Sequence, residues 1–212
     1  NRFASLGMDE GWRRAAIRRL ELSHGDRVLD IATGTGDLAF AAERAGATVL
    51  GCDFAPEMIF RAAAKARAGA GASRFQVASA EHLPYPSAAF DGAVSAFAMR
   101  NVKPILDPVL AEALRVLRPG GRLILEFSEP PLAPVRGGHA IYTRRLVPLI
   151  GRLLTGDGAP FEYLNRSIQE CERADAFAAR LTRVGFEGVG YRRLAFSTVA
   201  LHWGDRPAAA SR

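Results

Sequence analysis

No run of about eighteen apolar residues occurs in this 212-residue chain, so nothing in it is expected to span a membrane. The opening NRFASLGMDEGWRR lacks the apolar core of a signal peptide. Cysteine is scarce: Cys52 and Cys171 form neither a metal pattern nor a disulfide framework. A cytoplasmic location is the expectation. The histidines (His24, His82, His139 and His202) are scattered, and no metal centre is expected. A G-x-x-x-x-G-K-[ST] run is missing, which excludes a P-loop. No repeat, low-complexity tract or long linker divides the chain. At 49% apolar and 24% charged, its composition suits one globular domain over residues 1–212.

Lysine is the other near-absence. Of 28 basic residues only Lys65 and Lys103 are lysine, and arginine carries the net charge of +6. A basic balance suits nucleic acid, an anionic membrane surface or an acidic substrate; composition bias toward Arg and Ala accounts for it equally well. No aromatic-interleaved basic stretch supports a nucleic-acid partner, and none is expected.

Short apolar runs alternate with helical patterns, which predicts a mostly parallel sheet with helices on both faces. Strands are expected at 27–32, 47–52, 74–78, 90–97 and 122–127, with helices at 37–45, 56–67 and 105–117. Pro119-Gly120-Gly121 predicts a turn at 118–121 between the last of these helices and the fifth strand. Beyond Ser128 the pattern changes. Pro130, Pro131 and Pro134 interrupt it, and a helix is expected at 141–154, with Tyr142, Leu146, Leu149, Ile150 and Leu153 in an arc of about 100°. A final helix at 168–184 and strands at 189–193 and 195–202 close the pattern. Residues 129–167 form an insertion placed where such sheets add substrate-binding parts or a lid.

The loop after the first strand runs Asp30-Ile31-Ala32-Thr33-Gly34-Thr35-Gly36. Gly34 and Gly36 permit a tight turn and close approach of a ligand to the backbone. With Ala39 they also satisfy the dinucleotide fingerprint G-x-G-x-x-A, so the glycines alone leave an NAD-binding oxidoreductase open. Asp53, nineteen residues beyond Gly34, ends the second strand, where a carboxylate can grip a ribose diol in either ligand. Asp30 separates the two. A carboxylate at that place would repel a pyrophosphate and attract the ammonium and sulfonium of S-adenosylmethionine. A helix or turn cap is the plain structural alternative for Asp30. Ser79, Ala80 and Glu81 follow the third strand, at the position facing an adenine ring, with an ordinary polar loop as the alternative; Phe54 is either a cover for one face of that ring or equally a core aromatic.

Longer runs carry a family resemblance. Residues 115–128 (RVLRPGGRLILEFS) closely resemble a signature of the ubiquinone/menaquinone biosynthesis C-methyltransferases, which are class I enzymes dependent on S-adenosylmethionine. So do 28–39 (VLDIATGTGDLA), 51–58 (GCDFAPEM), Phe97-Ala98-Met99-Arg100-Asn101-Val102, the opening Asn1 to Trp12, and 199–204 (VALHWG). The resemblance spans essentially the whole chain. It implies a Rossmann-like seven-stranded sheet binding S-adenosylmethionine through Asp30, Thr33, Gly34, Gly36, Asp53, Phe54, Ser79, Ala80 and Glu81. Departures concern the substrate more than the class: Ser79 stands where the family usually has an acid, Asp9 where a His is common, and Phe196-Ser197 where a glycine pair is expected. A Tyr-Asp pair expected just before Asn1 is absent from the chain.

The reaction implied is methylation of a ring carbon on a reduced polyprenyl quinone, demethylmenaquinol to menaquinol above all. A ring carbon becomes nucleophilic when a neighbouring phenol loses its proton, so the protein must align the reactants and favour phenolate. Arg100 is expected to stabilise the phenolate and Asn101 to orient a ring oxygen, with a surface ion pair and a turn as their ordinary alternatives. His202 and Tyr163 are general-base candidates by residue type, and Glu126 is either a third or an anchoring acid. The apolar stripe of 142–153 suits a lid over a lipophilic quinol, and with the set Arg13, Arg14, Arg18 and Arg19 it also suits peripheral contact with anionic lipid at the inner face of the membrane. For any one of these helices, packing on the core with its arginines in water is the favoured alternative. A homodimer is left open. The rivals are a methyltransferase of the same fold acting on another lipophilic or phenolic molecule, and the NAD-binding oxidoreductase; the second lacks a Tyr-x-x-x-Lys pair.

Overall fold

The computed structural model describes residues 9–128, 171–194 and 199–208. The expected helix at 141–154, the insertion at 129–167, Tyr163 and Phe196-Ser197 lie outside the described residues. In chain order the elements are α1 (Asp9–Leu20), β1 (Arg27–Ile31), α2 (Asp37–Arg44), β2 (Thr48–Asp53), α3 (Pro56–Lys65), β3 (Arg74–Val77), β4 (Phe90–Ala96), α4 (Leu106–Val116), β5 (Leu117–Ser128), α5 (Ala174–Val184), β6 (Glu187–Leu194) and β7 (Val199–Asp205). Two short 3-10 turns, Met99–Asn101 and Lys103–Ile105, join β4 to α4.

The seven strands form one sheet in the order β3-β2-β1-β4-β5-β7-β6, with β7 reversed against both its neighbours. This is the mostly parallel, Rossmann-like sheet the sequence predicts. Its central strands are apolar on both faces because both are covered. On one face Val28, Val49, Val94, Ile124 and Leu201 meet α1 and α2 through Ala16, Ile17, Leu20, Leu38, Ala39 and Ala42. On the other, Leu29, Ile31, Ala93, Leu123 and Leu125 meet α4 and α5 through Val109, Leu110, Ala113, Phe177 and Leu181.

Two differences from the expected pattern have physical causes. Helix α1 has no counterpart in the sequence-based pattern, because Arg13, Arg14, Arg18 and Arg19 dilute an apolar edge whose buried members are Ala16, Ile17 and Leu20. The turn expected at 118–121 is instead a bulge inside β5. Leu117 pairs with Phe90 and Arg122 with Gly92, so the extra residues loop out of register. Gly120 takes φ 76°, and backbone bonds from Gly120 N–H to the Arg206 carbonyl (2.9 Å) and from Arg206 N–H to the Gly121 carbonyl (2.8 Å) lace the bulge to the chain after β7.

At the amino edge of the sheet, Arg122 pins α1 to the strands. Its Nε and Nη2 donate to the two oxygens of Asp205 at 2.6 and 3.0 Å, and its Nη1 meets Glu21 at 2.7 Å. Those carboxylates hold the Arg122 guanidinium well above its usual range, the Asp205 hydrogen bond most strongly. Arg19 lies 4.3 Å over the Trp203 ring and also meets Glu21 at 2.7 Å. A bidentate pair with a third partner is worth more than an isolated surface pair. Arg122→Ala is therefore expected to lower unfolding stability by about 1–2 kcal/mol, measured by urea denaturation. An unchanged midpoint would show that α1 is held without it.

Candidate active site

The strand order reverses between β1 and β4, and ligands in open parallel sheets bind outside the carboxyl ends of the strands at that switch point. Four segments meet there: the glycine loop after β1, Asp53 at the end of β2, the loop after β3, and the turn after β4.

The glycine loop is held by two carboxylates. Asp30, 1% exposed, accepts from Thr33 Oγ1 at 2.6 Å and from the Ala39 amide in the first turn of α2. The capping alternative for Asp30 is thus realised, and it does not remove the electrostatic role. Burial pushes its carboxyl up from the ordinary 3.8 to about 7, against the bonds from Thr33 and Ala39, with the nearby Asp53 adding to the rise. Asp53, also buried, accepts from the Gly34 amide at 2.9 Å and from the Ala55 amide at 3.0 Å. A carboxylate offers about four acceptor positions, so two remain for a ribose diol.

Gly34 (φ 55°) and Gly36 (φ 81°) do different work. A Cβ on Gly34 would meet nothing within 4 Å, the open side on which a ligand can lie against the backbone. A Cβ on Gly36 would meet Phe75 at 2.8 Å and Phe40 at 3.1 Å, so this glycine serves packing. Thr33 is buried, its hydroxyl committed to Asp30. Lys65 bridges from α3 to Thr35 Oγ1 (2.9 Å) and Asp37 (2.8 Å), a latch on the loop that no sequence motif announces.

Beside Asp53, the Ala78 amide donates to the Asp53 carbonyl at 3.0 Å, which brings Ser79, Ala80 and Glu81 next to the ribose acid. All three are partly exposed, and Phe54 is 76% exposed. An aromatic ring left in water at that place is available to cover an adenine. The loop's continuation is clamped from α4. Glu112 accepts from the Leu83 amide at 2.7 Å, and Arg115 donates to the Leu83 and Tyr85 carbonyls at 3.0 and 2.8 Å while paired with Glu112. That pair gives Arg115, first residue of the run 115–128, a positioning task. Cys52 lies beneath; burial pushes its thiol up to about 12, which makes it inert.

The turn after β4 carries the predicted Arg100 and Asn101. Met99 is buried and anchors it, the Asn101 amide donates to the Ala98 carbonyl at 2.9 Å, and Asn101 itself is exposed. Phe97 enters this turn with φ 56°, a costly backbone for an aromatic residue. It is fixed by its amide on the Glu126 carbonyl at 2.8 Å and by edge contact with Trp12 of α1 at 6.0 Å. Strain held by surrounding contacts at the edge of a cleft is a mark of a working site. Glu126, buried on β5, pairs in register with Ala96 and Leu201 and by strand alternation shares the sheet face of Asp30.

His202 is a correction. It is 0% exposed, its ring stacked edge-on to Phe177 (4.8 Å) and tilted to Tyr191 (5.5 Å), with Nε2 3.0 Å from the Ala174 carbonyl. Its neighbour Leu201 faces α1 and α2, so His202 points to the opposite face, into the α4–α5 core. Among the described residues the ring is enclosed in that core, on the sheet face opposite Asp30 and Glu126, which is the placement of a packing group.

Asp30 yields a prediction with a definite sign. A carboxyl raised from 3.8 to about 7 binds its proton more tightly folded than unfolded, so its burial costs stability progressively as pH rises from about 4 to about 7 and fully above that. Asp30→Asn should stabilise the ligand-free protein at pH 8 by on the order of 2–4 kcal/mol, with the gain vanishing near pH 4. Thermal unfolding of both proteins across this range checks it; a variant less stable at pH 8 would mean that Asp30 is not a buried, destabilised acid.

Comparison with known proteins extends the geometry. A sequence model of the ubiE/COQ5 methyltransferase family matches residues 1–206. The chain is 42% identical over 210 residues to a demethylmenaquinone methyltransferase of Thermus thermophilus, covering 98% of this chain and 94% of that protein. It is 36% identical over 212 residues to the ubiquinone/menaquinone biosynthesis C-methyltransferase UbiE of Geobacter sulfurreducens, covering 97% and 82%. Among solved structures, the [4+2]-cyclase SpnF superposes with a TM-score of 0.73 at 19% identity, covering 94% of this chain and 81% of that one. A SAM-dependent methyltransferase from Aquifex aeolicus gives 0.67 at 17% identity, covering 92% and 89%. These structures speak for the fold, whereas the sequence matches reach further: the chain belongs to the ubiE/COQ5 methyltransferase family.

Proposed function

We propose that this chain is an S-adenosylmethionine-dependent C-methyltransferase that converts demethylmenaquinol to menaquinol. The observation that carries the reading is the juxtaposition, across one switch point, of an acid-held glycine loop and the strained turn bearing Arg100 and Asn101. The names of the full-length relatives supply the substrate class. The residues fit the cosubstrate: Gly34 leaves its side open, Asp53 keeps acceptor positions for a ribose diol, Phe54 stands exposed beside the Ser79–Glu81 loop, and Asp30 awaits a cation. When bound, S-adenosylmethionine supplies an electrophilic sulfonium methyl.

The chain's own residues then have separable tasks. Asp53 and the Gly34 amide fix the ribose end. Asp30 favours positive charge over the loop, the more so as pH rises through about 7 and the carboxyl ionises. Arg100 at the turn lowers the energy of a phenolate, and Asn101 orients the second ring oxygen. Glu126, buried at the carboxyl end of β5 on the face of Asp30, takes the base position that His202 leaves open. Ring-carbon attack forms a C–C bond as the C–S bond breaks, and the ring proton leaves to restore aromaticity. No helix among the described residues is long and apolar enough to cross a membrane. The NAD-dependent reading has no support from the family or its relatives, and Asp30 beneath the loop opposes a pyrophosphate.

Incubation with S-adenosylmethionine and a short-chain demethylmenaquinol, with the product followed by mass spectrometry, should show gain of one methyl group on carbon. Arg100→Ala should lower kcat by about 100-fold while cosubstrate affinity stays within about twofold. Unchanged turnover in that variant removes Arg100 from the chemistry. Transfer to a benzoquinol in preference to the naphthoquinol would move the substrate assignment within the family.

A further inference from the structure

Phe97 is the one aromatic among the described non-glycine residues with positive φ, and the turn that carries Arg100 and Asn101 starts just after it. Relaxing its φ of 56° to the ordinary negative range would redirect the chain before Arg100. Something must therefore hold it. The backbone supplies one hold, the Phe97 amide on the Glu126 carbonyl at 2.8 Å. The other is the ring of Trp12, which meets Phe97 edge to face with centroids 6.0 Å apart and planes at 61°. An aromatic contact of that kind is of the same order as the cost of the strained residue. Arg13, the next residue of α1, serves the opposite wall of the site. Burial alone would raise the Asp37 carboxyl at the start of α2; the Lys65 hydrogen bond and charge, and then the charge of Arg13, bring it below its ordinary value. Asp37 shares Lys65 with Thr35 of the glycine loop. Two consecutive residues, about 100° apart around one helix, thus reach the two walls of the switch point. The rest of α1 is fixed in the core by Ala16, Ile17 and Leu20.

We propose that Trp12 is a positioning residue for methyl transfer: by bracing Phe97 it sets the turn bearing Arg100 and Asn101 at a fixed separation from the glycine loop. The bracing stands on the contacts alone; its link to methyl transfer rests on the function proposed above. Trp12 acts through Phe97, and its effect is on alignment. A displacement of about 1 Å between reacting groups can cost about 100-fold in rate. The groups that fit the cosubstrate, Asp30, Gly34 and Asp53, belong to the other wall, so cosubstrate affinity is expected to be insensitive to Trp12.

The test is steady-state kinetics of the full chain on the short-chain demethylmenaquinol, with S-adenosylmethionine affinity measured by calorimetry. Trp12→Leu keeps helix propensity and removes the ring. It should lower kcat at least about tenfold with cosubstrate affinity within about twofold, and Trp12→Phe should recover most of the loss. Phe97→Gly accepts φ 56° without strain, so in that background Trp12→Leu should cost less than about twofold. An unchanged kcat in Trp12→Leu, or equal losses in both backgrounds, overturns the proposal. So does loss of cosubstrate binding in Trp12→Leu, which marks a group that merely holds the fold. A second readout needs no substrate. Hydrogen exchange followed by mass spectrometry should show the amides of 97–101 exchanging at least about fivefold faster in Trp12→Leu, with those of 48–53 unchanged. Unchanged exchange in the turn sinks the brace alone, whereas the expected exchange with no methyl transfer by the wild-type protein sinks the functional reading alone.

Discussion

Two buried carboxylates at the ends of adjacent parallel strands govern this molecule. Asp30 and Asp53 sit on β1 and β2, and each spends part of its acceptor capacity on backbone or hydroxyl donors that shape the glycine loop. Burial disfavours the charged form of Asp30, with the nearby Asp53 adding to the effect, and Asp30 holds its proton to about pH 7. The fold therefore carries at its switch point a group whose ionisation is costly until a cation arrives. An apolar ligand would gain nothing from it, and an anion would be opposed. That electrostatic bias, more than the glycines, distinguishes a sulfonium site from a dinucleotide site built on the same strands.

The sheet exists to present those two acids. Apolar β1, β4 and β5 are covered on both faces, which fixes the direction of each strand end and places the β4 turn opposite the glycine loop. Side-chain alternation sorts the remaining polar groups: Glu126 falls on the face of Asp30, and His202 on the other. A one-residue shift in β7 would put His202 in place of Leu201 on the site's face. The register is held at the far edge by Arg122 on Asp205 and by the bulge laced to Arg206.

The strands were legible in the sequence wherever the chain is buried on two faces, as in RVLDI and RLILEF, and the helices wherever punctuation marks their ends, as at Pro56. The glycine loop and its acids were legible because chemistry fixes their spacing. Helix α1 was not, since its apolar edge is narrow and arginine-studded, and the 118–121 bulge was not, since Pro and Gly signal a turn and a bulge alike. His202 misled because residue type carries no information about facing; only strand pairing decides it. The Glu112–Arg115 clamp and the Lys65 latch were invisible because their partners lie about thirty residues away in sequence.

The most direct test of this account counts protons. Calorimetric titration with S-adenosylmethionine at pH 7, in two buffers of different ionisation enthalpy, measures the protons exchanged on binding. With Asp30 at about 7 in the ligand-free protein, a bound cation should drive off about half a proton per site, and Asp30→Asn should release none while binding more weakly. Binding with no buffer dependence in the wild-type protein, or undiminished affinity in the variant, would contradict the claim that this buried acid selects a cationic ligand.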